Sequence, residues 1–247
     1  MISTVQECVV DGLDEVNQLL DWRAGTVLPD GRILGRLEAT PGKRPKPGEI
    51  PDSRIAWLDS KIGLAGRSVL EVGCYEGIHT VGLRKFTERV TAVDVRPVNV
   101  IKTLTRLSWH KTSAAVFQQD AQTLNSDFGT FDAIFHCGTL YHLEHPAEHL
   151  LALGGMCRWL MLDTHVAREP DRLERREVAG IPYWGAARNE GGWKDPFSGT
   201  GASSFWLLYE SLEALLGRAG FRSIVIRGWR SERNGARVCL LASKGPL

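Results

Sequence analysis

The chain has 247 residues, 43% of them hydrophobic and 24% charged, with 30 basic against 29 acidic side chains and a net charge of +1. This composition supports a packed core and excludes a disordered or low-complexity protein. The near-neutral balance argues against a large nucleic-acid footprint, which demands a basic excess for its phosphate contacts.

The elements follow in chain order. Val9, Val10, Leu13, Val16, Leu19 and Leu20 form a helical stripe over residues 8–22. The run Pro41-Gly42-Lys43-Arg44-Pro45-Lys46-Pro47-Gly48 cannot hold a regular element. It reads as a solvated connector more readily than as a contact for an acidic substrate. Residues 1–60 are therefore expected to be an N-terminal extension or cap, and residues 61–247 the main domain. Short apolar strands are expected at Ser68–Val72, Val90–Asp94, Ala114–Gln118, Phe131–His136 and Arg158–Thr164. Helices are expected at Gly77–Phe86, Pro97–Trp109 and Pro146–Leu153. Strict alternation of strand and helix predicts a doubly wound α/β fold with a mostly parallel sheet. Ligands in such sheets lie at the carboxyl ends of the strands, near the topological switch point. Residues 167–204 break the rhythm with Gly, Arg, Pro and aromatics, so 167–206 is expected to be an irregular, acceptor-side lid. Leu207–Arg218 is then a helix. Ser223–Arg230 and Arg237–Ser243 pair as the closing strands around a turn at Asn234-Gly235, completing seven strands.

The cysteines Cys8, Cys74, Cys137, Cys157 and Cys239 contain no CxxC pair, so a disulfide framework or structural zinc site is not expected. The chain opens on polar and acidic residues instead of a basic stretch and an apolar run. No apolar run reaches the ~18 residues of a membrane span. A cytoplasmic protein is expected.

The segment Ser68-Val-Leu-Glu-Val-Gly-Cys-Tyr-Glu-Gly77 carries the clearest chemistry. A strand enters a tight turn and a helix leaves it. Gly73 permits close approach of backbone to ligand, and Gly77 lets the helix start near the strand. Glu71 lies at the strand end. Asp94 closes the next strand 23 residues later, where an acid can accept two ribose hydroxyls. Asp120 follows the third strand. A GxGxxG nicotinamide loop is absent, because Tyr75 stands at the second glycine.

Together with Asp120-Ala121 and Phe131-Asp-Ala-Ile-Phe-His-Cys-Gly-Thr-Leu-Tyr-His142, this pattern resembles the class I S-adenosylmethionine-dependent methyltransferases over about residues 66–165. The resemblance implies a Rossmann-like methyltransferase fold. It also implies that Gly73 and its turn hold the methionine part of S-adenosylmethionine, Asp94 the ribose, and Asp120 with Ala121 the adenine. Cys137 and Gly138 would lie beside the sulfonium carbon, and His79, at the start of the helix, would line the cofactor. The product would be S-adenosylhomocysteine. Tyr75 departs from the family, which has glycine there; it covers the methionine end or widens the turn.

The acceptor is less legible. Gly138-Thr-Leu-Tyr-His-Leu-Glu-His-Pro146 and Leu162-Asp-Thr-His-Val166 resemble the tRNA wobble-uridine carboxymethyltransferase family. Those enzymes carry a longer, more basic N-terminal domain, so tRNA is the second reading. Asp195–Trp206 resembles a Ser-Phe-Trp stretch of uncharacterised bacterial methyltransferases, some of them encoded with glycan or natural-product pathways. Tyr141, Trp184, Trp193, Phe205 and Trp206 are candidate walls for a sugar or flat ring. The leading reading is O-methylation of a small molecule or glycan. His142 ranks first and His165 second as base or acceptor-orienting group. Asp163 with His165 is a candidate divalent-metal pair, with metal dependence not favoured. A non-catalytic nucleoside-binding module is the third reading.

Overall fold

A computed structural model describes residues 12–40, 44–168 and 171–246. Val9 and Val10 of the expected N-terminal stripe, Cys8, and Pro41–Lys43 of the connector lie outside the described residues. The chain divides into two compact units, residues 1–49 and 50–247.

In the smaller unit, helix α1 (Leu13–Leu19) precedes the antiparallel pair β1 (Thr26–Val27) and β2 (Ile33–Leu34). Asn17 ties helix to strand, donating to the Ile33 carbonyl at 3.0 Å and accepting from Gly35 N at 2.7 Å.

The larger unit opens with α2 (Ser53–Ile62), capped by Asp52 through Arg54 N. Ile55, Leu58 and Ile62 of α2 enter its core. The division therefore falls ahead of the 60/61 boundary expected from the sequence. There follow β3 (Ser68–Val72), α3 (Ile78–Leu83), β4 (Arg89–Asp94), α4 (Pro97–Trp109), β5 (Ala115–Gln118), β6 (Phe131–Cys137), α5 (Pro146–Met156) and β7 (Cys157–Val166). After β7 come β8 (Glu174–Val178), β9 (Ile181–Asn189), β10 (Ser203–Leu207), α6 (Tyr209–Arg218), β11 (Ser223–Glu232) and β12 (Gly235–Ser243).

The main sheet has seven strands in the order β11-β12-β7-β6-β3-β4-β5, and β12 runs antiparallel to both its neighbours. The order reverses between β3 and β6, which is the switch point. Burial on both sheet faces explains why β7 reads as a near-continuous apolar run. Its alternate residues feed two cores. Leu160 and Leu162 pack with α5 and α6, and Trp159 and Met161 pack with α2.

Residues 167–206 depart from the expected irregular lid. β8, β9 and β10 form a separate three-stranded antiparallel sheet, inserted between β7 and α6. Its strand signal is obscured because β8 (Glu-Arg-Arg-Glu-Val) has no buried position and β9 carries Pro182 and Gly185. The longest stretch without a strand among its described residues is the β9–β10 segment, residues 190–202. The closing hairpin pairs Glu232 with Gly235, so its two-residue turn is Arg233-Asn234, one position earlier than expected.

Candidate active site

The β3–α3 turn lies at the switch point. Gly73, Tyr75 and Gly77 all take left-handed backbone, with φ of 77°, 53° and 79°. A Cβ on Gly73 would come within 2.0 Å of Thr139 Oγ1, and one on Gly77 within 2.9 Å of the Thr103 backbone. Tyr75 adopts the same left-handed conformation with a side chain, at a cost of roughly 1 kcal/mol. Its N–H donates to Asp94 Oδ2 at 2.9 Å, and its ring lies 6.0 Å from that of Phe197. The turn keeps its left-handed form despite the missing glycine.

Three acids surround this turn. Glu71 is buried; its Oε2 accepts from Thr80 Oγ1 at 2.6 Å, and its Oε1 has no hydrogen-bond partner among the described residues. Burial pushes its carboxyl up to about 8. His79 Nδ1 lies 3.8 Å from that orphan oxygen, and His79 Nε2 lies 2.9 Å from Arg54. Asp94 accepts from Arg96 N at 2.9 Å and Asn99 Nδ2 at 3.0 Å on Oδ1, so Oδ2 retains a lone pair beyond its bond to Tyr75. Asp120 caps the short helical turn Ala121–Thr123 through Gln122 N at 2.9 Å, with one oxygen committed.

Across the switch point, β6 ends in Cys137, buried and with its thiol pushed well up by that burial. Gly138 follows in left-handed backbone, and the Arg237 guanidinium lies 3.5 Å from where a Cβ would sit on it. Beside them Asp163, wholly buried, accepts from Arg54 at 2.6 Å, Arg230 at 2.9 Å and Arg237 at 2.6 Å. Burial alone would raise its pKa, but the Arg237 and Arg54 guanidiniums hold the carboxyl below the usual range. Three cations on this carboxylate leave it poorly suited to a divalent ion. No cluster of His, Cys, Asp and Glu suited to a metal occurs among the described residues.

The two candidate bases lie on either side of Tyr141, whose ring centroid is 4.2 Å from His142 and 4.7 Å from His165. His142 ends the helical turn Leu140–His142, and its Nδ1 lies 3.0 Å from Glu190 Oε2 and 3.1 Å from Oε1. His165 on β7 packs more tightly. Its ring stacks on Trp206 at 4.7 Å and 10°, and its Nδ1 is 3.1 Å from the Ala236 carbonyl. Burial, then Arg237, lowers its pKa.

The expected aromatic wall is only partly assembled. Trp206 faces His165 and Tyr141, with a buried indole N–H that has no partner among the described residues. Phe205, on the opposite face of β10, is wholly buried in the main core beneath Arg176 and is no wall for a ligand. Strand alternation separates the two neighbours. Trp184 is exposed, and Trp193 is exposed with its ring 5.1 Å from the Arg96 guanidinium.

A methyltransferase-domain family profile matches residues 69–161. The N-terminal domain of EvdMO1, crystallised with SAH, superposes with a TM-score of 0.77 at 22% identity, over 94% of this chain and 95% of that one. Magnesium protoporphyrin IX methyltransferase from Synechocystis superposes at 0.56 and 19% identity, over 78% and 77% of the two chains. The main sheet therefore has the Rossmann-like methyltransferase fold. Among curated proteins, a ubiquinone biosynthesis O-methyltransferase of Dechloromonas aromatica is 30% identical over 111 residues, covering 42% of this chain and 45% of the relative. A tRNA U34 carboxymethyltransferase of Trichlorobacter lovleyi is 31% identical over 106 residues, covering 38% and 30%. The chain thus matches less than half the length of either relative.

Two features of the site were not expected from the sequence. Glu76 is a buried acid in the turn, paired with Lys102 at 2.8 Å, and it anchors the turn to α4. Arg96, two residues after Asp94, is buried and donates to the carbonyls of Trp193 at 2.7 Å, Gly192 at 2.9 Å, Asp195 at 3.0 Å and Ser198 at 3.3 Å. It pins the β9–β10 segment beside the ends of β3 and β4. An acid–any–arginine triplet has no specific signal in a single sequence. No described helix is long and apolar enough to cross a membrane.

Proposed function

We propose that the chain binds S-adenosylmethionine at the β3–α3 turn and transfers its methyl group to a hydroxyl of a small-molecule or glycan acceptor. The observation that carries this reading is the orphan Oε1 of Glu71, an unpartnered buried acceptor beside a glycine turn at the switch point. Burial without a donor raises this carboxyl, and the ammonium of a bound methionine moiety would donate to Oε1 and favour its ionised form. The residues present therefore fit the donor molecule. Gly73 and its turn would hold the methionine part, Asp94 the ribose through its spare lone pair, and Asp120 with Ala121 the adenine. Cys137 and Gly138 would flank the methyl carbon. When bound, the cofactor supplies an electrophilic methyl on a sulfonium.

The chain's own task is alignment and proton removal. His142, paired with Glu190, is assigned as the base that takes the acceptor's hydroxyl proton. Tyr141 and Trp206 would orient the acceptor, and the buried indole N–H suits an oxygen-rich molecule. His165, held by packing and by Ala236, is the second choice.

Titration calorimetry with S-adenosylhomocysteine tests the first half, and absence of binding would refute it. Screening hydroxylated acceptors for S-adenosylhomocysteine formation tests the second. His142→Ala is expected to keep product affinity and lose turnover. The partial likeness to a tRNA U34 carboxymethyltransferase favours tRNA as the second reading; binding of bulk tRNA at physiological salt would support it.

A further inference from the structure

His142 and the β9–β10 segment are joined by one side chain. Glu190 leaves the end of β9 and meets His142 Nδ1 through both carboxylate oxygens, at 3.0 and 3.1 Å. The same carboxylate accepts from Gly199 N at 2.6 Å and from the Ser198 hydroxyl, both on Oε2. Ser198 Oγ in turn accepts from Gly191 N at 2.6 Å, so the segment closes on itself around Glu190. Its other end is held by the four carbonyl bonds of Arg96, whose own backbone N–H binds Asp94. One continuous set of hydrogen bonds therefore runs from Asp94 to the imidazole. Contact also comes from the backbone: a Cβ on Gly199 would meet the His142 carbonyl at 2.6 Å, so only glycine fits there.

We propose, building on the assignment of His142 as base, that Glu190 is the positioning residue of this site. It fixes His142 in the tautomer with Nδ1 protonated and Nε2 bearing the lone pair, and it does so while residues 190–202 are docked. An ionised carboxylate only accepts hydrogen bonds, so the facing ring nitrogen must be the donor. Hydrogen bonds from His142 and Ser198 hold the carboxyl at about 2 against the opposing effect of burial, so it is ionised at neutral pH. The lone pair on Nε2 is then available to accept a proton. The imidazolium formed would be stabilised by the same carboxylate, as a base–orienter pair requires.

The substitution Glu190→Gln separates this from a merely structural role. Oε2 faces two donors, Gly199 N–H and the Ser198 hydroxyl, so the glutamine oxygen settles there. Its amide NH2 then takes the place of Oε1, 3.1 Å from His142 Nδ1, where it opposes an Nδ1–H and favours the proton on Nε2, against the 3.0 Å contact that Nδ1 keeps to the oxygen. Long-range proton–nitrogen correlation spectra of histidine-labelled protein, recorded on the alkaline plateau where the ring signals no longer move with pH, read the tautomer directly. The His142 signals are assigned by their loss in His142→Gln. The expected result is the Nδ1–H form in the unaltered chain and a shift towards the Nε2–H form in Glu190→Gln. An Nε2–H form in the unaltered chain, or the same tautomer ratio in both proteins, would overturn the proposal. Should Glu190→Gln fold poorly, Glu190→Met removes the acceptor with similar bulk and is expected to release the Nδ1–H tautomer. The spectra need no acceptor and no methyl donor, so this result is independent of whether S-adenosylhomocysteine binds. With an acceptor in hand, Glu190→Gln should lower kcat at least ~100-fold, the lower end for a general base, with KM for the methyl donor changed less than about twofold.

Discussion

Replacing Asp163 should weaken the fold more than any other single acid in the sheet. Its carboxylate is wholly buried within β7 and faces three guanidiniums drawn from α2, β11 and β12. In Asp163→Ala the arginines lose contacts of 2.6 Å to Arg54, 2.9 Å to Arg230 and 2.6 Å to Arg237, and face each other across the vacated space. Each keeps a second acid. Arg54 retains Asp52 at 2.8 Å, and Arg230 and Arg237 retain Glu232 at 3.3 and 3.6 Å. Those contacts prevent a collapse on the scale of three isolated charges. Removing one partner of a buried pair costs ~3–5 kcal/mol, which is a large share of the ~5–15 kcal/mol that holds a domain together. Asp163→Asn should cost less, because its amide oxygen still accepts one bond.

Urea unfolding followed by circular dichroism measures the effect. With a slope of ~1–3 kcal/mol per molar, the Asp163→Ala midpoint should fall by about 1–5 M. Adding Arg230→Ala to Asp163→Ala should recover part of the loss, because it removes one of the uncompensated cations; the coupling should exceed ~0.5 kcal/mol. A midpoint for Asp163→Ala equal to that of the unaltered chain, or strict additivity in the double variant, would refute the reasoning.

Other expectations follow from the same geometry. His136 and His149 are buried with their Nε2 atoms 2.8 Å apart, and burial lowers both, His149 to about 4. Their native pKa values lie below the unfolded one, so the unfolded chain binds more protons between about pH 6.5 and 4, and the stability they contribute is lost as pH falls through that window. For His149 this amounts to roughly 3 kcal/mol; the unaltered chain and a His136→Leu/His149→Leu chain should diverge by at least that much in unfolding free energy, measured in urea, on acidification. The comparison between chains cancels the opposite slope from Glu71. Gly73→Ala, with its Cβ directed at Thr139 Oγ1, should abolish S-adenosylhomocysteine binding in calorimetry while the far-ultraviolet spectrum stays native. Asp94→Ala should weaken the same binding at least tenfold, the scale of one charge-assisted hydrogen bond at ~1.5–3 kcal/mol. Arg96→Ala, which removes four carbonyl bonds, should make residues 190–202 the first site of limited proteolysis.

The parts of this molecule that were legible in its sequence are those governed by local pattern. Ser68–Val72 and Pro97–Trp109 match their expected bounds because a buried strand and a helix with proline at its first turn carry their signals within a few residues. The sheet order follows from the alternation of such elements. The β8–β10 sheet was missed because β8 and β9 carry charge, proline and glycine where a strand is expected to alternate, and pairing between them overrides that weak propensity. Phe205 and Trp206 show the same limit on a smaller scale. Adjacent aromatics look equivalent in sequence, yet the pleat sends one into the core and the other to His165. The most consequential contacts at the site were invisible for a different reason. Arg54 meets Asp163 across 109 residues, Arg96 meets Trp193 across 97, and His142 meets Glu190 across 48. No local spacing rule joins such partners, and a charged residue in a Gly-rich segment reads as solvated surface. The signal that does exist is chemical. A histidine at the carboxyl end of a parallel strand needs a partner for its second nitrogen if it is to act as a base, and the acids of the inserted segment are where that partner has to be sought.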